Sequence, residues 1–340
     1  MRLRYLMQEM LLPKEEFVIN KRANIQGLDV LVLSFTIEKD KNRLWLMYEN
    51  KDLIVDDFDN EYPEEFKTNR EELLNSIEER RKDKYLYIKE MEIQEQLIRF
   101  DSSSSAPIHD MNREGMMQLQ HFAEKGLLPD EWDDVKLESL VITVYEQAEG
   151  EIIPNIDKEK DLSVVLHIDE NIEEIPIQCP FTVEFGKQDI GSEVVYYDPI
   201  LEKEKNFFIN EIYSYDVYED TLTKSEQIED LEMREEMLKD FNRAMENLCP
   251  RDKNLAVIKY ETLDNVQLNF MMKDYLEAEP IVHDSSGSIG FICKCDETGI
   301  NGYKLRECVL QAVDKDFSGE IELELFSRYV EIPEETVECF

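Results

Sequence analysis

The stretch Val30-Leu31-Val32-Leu33-Ser34-Phe35-Thr36-Ile37 is apolar at nearly every position. After the polar run Glu38-Lys39-Asp40-Lys41-Asn42 it is answered by Arg43-Leu44-Trp45-Leu46-Met47-Tyr48. The first run is too short for a core helix and rich in residues that favour a pleated backbone, so it predicts a strand buried on both faces. The second alternates, with Leu44, Leu46 and Tyr48 against Arg43, Trp45 and Met47, and the polar run between them reads as a turn. An antiparallel strand pair is therefore the starting unit.

Working outward, Leu3, Leu6, Met7, Met10 and Leu11 have helical spacing that stops at Pro13. A second helix is expected from Glu64 to Arg81, with Phe66, Leu73, Leu74 and Ile77 on one stripe and Arg80, Arg81, Lys82 and Lys84 complementing its dipole. A third runs from Asn112 to Lys125 and is closed by Gly126. Strand patterns then dominate at Leu140–Tyr145, Leu162–Asp169, Ile175–Phe185 and Glu193–Tyr197. From Lys224 to Leu248 the period lengthens through Ile228, Leu231, Leu238, Phe241, Met245 and Leu248, which predicts one long amphipathic helix ended by Cys249-Pro250.

Strands resume at Leu255–Tyr260, Val266–Met271, Ile289–Lys294 and Glu320–Val330, the last with Glu320, Glu322 and Glu324 expected on a solvent face. The segment from Tyr303 to Val313 fits both a helical stripe through Leu305, Cys308, Val309 and Ala312 and a strand after the Asn301-Gly302 turn. The run Asp101-Ser102-Ser103-Ser104-Ser105-Ala106-Pro107 reads as a linker. The expected class is α+β, mainly antiparallel. A small N-terminal α+β domain spans 1–101, a serine-rich linker 102–107, and an acidic β-rich α+β domain 108–222. The long helix and a C-terminal β-rich domain span 223–340.

Charged residues make up 34% of the chain and apolar ones 42%, with 16 Phe and 15 Tyr, which argues for packed domains under a charged skin and against disorder. The net charge is −40. The first hundred residues hold 17 basic and 22 acidic side chains and the remainder 21 and 56. Such a field repels nucleic acid and anionic membranes and speeds encounter with a basic protein partner. There is no apolar run of bilayer length and no signal-peptide pattern at Met1, so the cytoplasm is the expected compartment. The six cysteines read as free thiols.

Phosphate-binding glycine motifs are missing from the sequence, and the stretch from Asp284 to Gly290 precedes a strand, as a surface turn would. His167 and Asp169 share one strand face and with His283 are the candidates for a catalytic or metal site assembled from separate segments, whereas Cys293 and Cys295 point to opposite faces. Asp314, Asp316 and Ser318 with Gly319 follow a calcium loop, but Leu325 stands where its bidentate glutamate belongs. A β-hairpin turn accounts for the same residues, and no metal or cofactor is implied.

Acidic residues cluster at Asp56, Asp57, Asp59, Glu61, Glu64 and Glu65, and at Glu131, Asp133 and Asp134 around Trp132. Tyr213, Tyr215 and Tyr218 lie among Asp216, Glu219 and Asp220, a mixture suited to a protein interface. The leading expectation is a cytoplasmic binding or inhibitory protein, immunity-like in character. It would engage a basic partner, such as a nucleic-acid-processing enzyme or toxin, by occlusion through the tyrosine and carboxylate cluster at 213–220 and the acidic turn around Trp132. An enzyme or metal-dependent module built on His167, Asp169 and His283, and a structural or assembly subunit using the 224–248 helix, are the alternatives.

Overall fold

This computed structural model describes residues 13–38, 41–53, 66–109, 112–160, 162–280 and 297–340, with backbone alone at 189–191. The N-terminal helix, the acidic run 56–65, the glycine-rich stretch with His283, and Cys293 and Cys295 lie outside the described residues. What is described is mixed α+β and mainly antiparallel. No described helix is long and apolar enough to cross a membrane. The chain divides into two compact units, residues 1–63, 79–171 and 331–340 in the first, 64–78 and 172–330 in the second.

The first unit is an eight-stranded antiparallel sheet. Its strands are β1 (Glu15–Ile25), β2 (Leu28–Ile37), β3 (Asn42–Glu49), β4 (Ile88–Ile93), β5 (Gln96–Pro107), β6 (Leu140–Gln147), β7 (Val164–Ile168) and β15 (Glu335–Glu338), in the order β1-β2-β3-β6-β5-β4-β7-β15. Arg22 of β1 and Phe340 exchange backbone hydrogen bonds of 2.9 Å in both directions, which joins the two outermost strands and closes the sheet into a barrel. Val30, Val32, Phe35 and Ile37 of β2 point into the barrel core with Leu44, Leu46 and Tyr48 of β3. The inward phase of β2 slips by one residue between Val32 and Phe35 because a bulge interrupts its pairing with β3 there. Leu31, Leu33, Trp45 and Met47 face outward and are buried in turn by helix α2 (Arg113–Glu124) through Phe122, Met116 and Leu119. Asn112 caps that helix by accepting from the Gly115 amide at 2.9 Å, and Gly126 beyond its end takes the left-handed φ of +67° that a side chain would strain.

The serine run is a strand and not a linker. Residues 102–107 are the second half of β5 and pair with β6, Ser105 bonding Thr143 at 2.8 Å and Ser102 reaching Glu146 at 3.2 Å. Cross-strand partners supply what serine's own strand propensity lacks, and Pro107 falls on the strand's last residue. The division of the chain accordingly lies elsewhere than at 102–107 or 222, and the first unit takes residues from both ends of the chain.

In the second unit β9 (Gly186–Asp198), β10 (Lys203–Tyr215), β11 (Lys253–Thr262) and β13 (Leu305–Asp314) form one sheet in the order β13-β11-β10-β9. The strands β12 (Leu268–Met272), β14 (Glu320–Ile332) and β8 (Asn171–Glu184) form another, ordered β12-β14-β8. Both contribute to one core in which Phe270 meets Phe207, Tyr260 and Phe181 at ring separations of 5.2, 5.1 and 5.9 Å. The ambiguous segment after Tyr303 is strand β13, paired with β11.

Helix α1 (Asn69–Lys82) lays Leu73, Leu74 and Ile77 over Leu276 and Phe326, which covers the outer face of β14. Glu324 is therefore 3% exposed, against the solvent position its alternation predicted, and Arg70 grips its carboxylate with two bonds of 2.5 and 2.7 Å. On the same strand Arg328 pairs with the fully buried Asp198 at 2.8 Å.

Glu261 is also fully buried, and among the described residues no cation pairs with it. It accepts from the Asn210 side chain at 2.8 Å and from the amides of Asn301 and Tyr303 at 3.0 and 2.8 Å, which pins the loop before β13. A Cβ on Gly299 would fall on this carboxylate and on the Asn210 amide, so only glycine fits. Burial pushes the Glu261 carboxyl up, but the Asn301, Asn210 and Tyr303 donors outweigh it and hold the group below the usual carboxylate range. A depressed folded value means stabilisation that is complete above the unfolded value and lost as pH falls through the folded one. Glu261→Gln is expected to lower stability at neutral pH by about 1–3 kcal/mol and to flatten its decline on acidification, as read from urea unfolding at neutral and acid pH. Val337→Asp, which places a carboxylate in the barrel core at β15, is expected to cost about 3 kcal/mol or more in the same measurement.

Candidate partner-binding surface

Strand β10 ends in Tyr213, Ser214 and Tyr215 and passes through Asp216 into helix α3 (Val217–Ser225). Asp216 caps that helix, accepting from the Tyr218 and Glu219 amides at 3.1 and 3.0 Å, and lies 3.5 Å from the Lys315 ammonium. The Glu219 amide, against an opposing push from burial, then Lys315 and the Tyr218 amide hold its carboxyl below the usual range. Tyr215 donates to Asp220 at 2.5 Å, and Asp220 pairs with Lys224 at 2.7 Å. Tyr218 donates to the Cys249 carbonyl at 2.6 Å, with the Arg251 guanidinium 4.8 Å above its ring. Tyr213 donates to Glu307 at 3.2 Å and lies beneath Lys259.

The structure thus brings all six residues of this cluster together at one strand-to-helix junction. It commits their phenols and two of their carboxylates, Asp216 and Asp220, to bonds within the chain. Glu219 remains exposed, beside a groove of about 310 Å³ between α3 and helix α4 (Leu231–Leu248). Tyr218, Leu222, Leu238 and Phe241 form its apolar walls, and Asp216, Glu219, Arg251 and Lys315 its charged rim. The expected single helix from Lys224 is two helices, because Asp230 caps a fresh start by accepting from Glu232 and Met233. Met245 alone on α4 is fully buried, while Leu231 is 71% and Met233 61% exposed. Phe241 stood on the predicted helical stripe with Met245, whereas Leu222 was missed, although it follows Tyr218 at helical spacing. Arg251 and Lys315 arrive from remote segments and left no signal.

Glu131, Trp132, Asp133 and Asp134 belong to the first unit. Asp130–Trp132 is a single 3₁₀ turn, Trp132 packs half-buried against the layer under α2, and Asp133 and Asp134 face solvent. Glu131 pairs with Arg22 at the rim of a cleft of about 590 Å³. Of the cleft's other charges, Lys84 pairs with Asp52 at 2.7 Å and Lys51 with Glu49 at 3.7 Å, while Asp29 accepts from the Asn24 side chain at 2.9 Å. Counted by unit, the chain's charge is nearly even, 20 basic and 38 acidic residues in the first and 18 and 40 in the second, net −18 and −22. The asymmetry about residue 100 follows no boundary of the fold.

His167 bonds Thr336 of β15 at 3.3 Å and Asp169 pairs with Lys89 at 3.3 Å, so each has its own partner, and His283 is outside the described residues. Asp314, Asp316 and Ser318 lie in a turn, but one that passes between the two sheets of the second unit, so the expected hairpin is not formed. Asp314 there lies 3.7 Å from Lys253, and the Gly319 carbonyl accepts from Phe185. Among the described residues no three His, Cys, Asp or Glu side chains are grouped to hold a metal ion. Asp216→Ala removes both cap bonds and the Lys315 contact, and a loss of about 1 kcal/mol in urea unfolding is expected. No family model, no curated protein and no solved structure matches this chain.

Proposed function

We propose that this is an acidic binding protein of the cytoplasm that engages a basic protein partner through α3 and α4 and acts by occlusion. One observation carries the reading: an apolar groove, walled by Tyr218, Leu222, Leu238 and Phe241, opens beside exposed Glu219 on a segment, 216–251, that holds eleven acidic and five basic residues. Long-range attraction would steer a basic surface to this face, and desolvation of an aliphatic or aromatic anchor in the groove would then hold it. Exposed Leu231 and Met233 extend the apolar area along α4. Carboxylates bound to the partner's cations would occupy positions that phosphates otherwise use.

The test is affinity capture from lysate on the immobilised full chain. Basic proteins should be retained at about 0.05 M salt and released by about 0.5 M. Glu219→Lys with Leu222→Asp should weaken retention at least about tenfold, some 1.4 kcal/mol. Recovery of nothing basic at low salt, or a complex indifferent to salt, overturns the proposal.

A further inference from the structure

Tyr145 of β6 is 2% exposed, and its hydroxyl meets no hydrogen-bond partner; the Ile88 amide faces it outside bonding geometry. A buried phenol without a partner forfeits about 1–3 kcal/mol. This one forms part of the wall of an open pocket of about 400 Å³ in the first unit, in the size range of small-ligand sites. Burial pushes the phenol well up, so it stays a neutral donor and acceptor.

Two further departures from regular barrel geometry converge on the same pocket. Tyr87 holds a left-handed φ of +47°, costly for an aromatic residue, with its carbonyl fixed by the Asp169 amide at 2.9 Å. Asp101 is the extra residue of a bulge between Phe100 and Ser102 in the β5–β6 ladder, and its carboxylate accepts from the Glu149 amide at 3.0 Å. Tyr85 and Tyr87, each 37% exposed, stand edge to face at 4.6 Å and form two walls at nearly a right angle. Phe100, packed on the Tyr145 ring at 5.6 Å, also lines the pocket.

The lining chemistry selects the ligand. Aromatic faces, serine and tyrosine hydroxyls and the carboxylates of Asp101 and Asp169 are all acceptors of positive charge or of N–H groups. Among the described residues the one lining cation, Lys89, is already shared between Asp169 and Glu334 at 3.3 Å each. An anion would meet two carboxylates, and a hydrocarbon would cover them without answering their charge. We propose that this pocket binds a small organic cation, an alkylammonium or guanidinium group, seated against Tyr85, Tyr87 and Phe100 with its N–H groups directed to Asp101 and Asp169. The site is independent of the α3–α4 surface.

The test titrates the full chain, carrying ring-labelled tyrosine, with butylammonium or ethylguanidinium, and with 1-pentanol and glucose as neutral controls. The resonances are assigned through Tyr85→Phe, Tyr87→Phe and Tyr145→Phe. Saturable shifts at these three tyrosines are expected with both cations, at a Kd on the order of millimolar. The double variant Asp101→Asn/Asp169→Asn, checked for an unchanged urea midpoint, should weaken them at least about tenfold. Should that variant lose its fold, Tyr87→Ala alone decides by the same criterion. Equal shifts with pentanol or glucose, shifts undiminished in the variant, or no saturable shift by about 50 mM cation overturns the proposal.

Discussion

Without the reciprocal backbone hydrogen bonds between Arg22 and Phe340, the eight strands of the first unit would be an open sheet with β1 and β15 as unpaired edges. Closure removes those edges, which are the part of a sheet most prone to pairing with another chain. It also encloses the core, so that Phe17, Val32, Leu46, Met91, Leu166 and Val337 bury one another from all sides. The inner face of β2, with Val30, Val32, Phe35 and Ile37, belongs to that enclosed core, while its outer face is covered by α2.

The second unit uses charge where the first uses closure. In a chain with 38 cations for 78 anions, half-buried Arg70 is placed on buried Glu324 and buried Arg328 on Asp198. An unpaired buried carboxylate would be far more costly than an exposed one, so Glu324 needs Arg70 once α1 covers β14, and Asp198 needs Arg328. Glu261 solves the same problem with neutral donors alone and in doing so fixes a loop. The cation shortage thus has a structural consequence, separate from any consequence for partners.

What could be read beforehand was what local pattern determines. The both-faces burial of β2, the alternation of β3 and the Asn112 and Gly126 ends of α2 follow from spacing and from capping chemistry. Readings failed where a distant element overrode composition. Ser102 to Ser105 became strand because β6 lies beside them, and Glu324 went inside because α1 covers it. The tyrosine and carboxylate cluster at 213–220 was legible as a cluster. That its phenols bond inward, leaving Glu219 and Leu222 as the exposed part, depends on Cys249, Glu307 and Lys315, which no spacing rule connects to it.

The order of the strands along the chain has a meaning in time. Seven strands of the barrel are complete at Ile168, yet the eighth begins only at Glu335, after the second unit has intervened. At ordinary rates of synthesis that interval lasts on the order of ten to thirty seconds. Throughout it β1 and β7 have no eighth strand between them, and the nascent first unit is held in an unfinished form until the second, whose last strand ends at Ile332, has been made.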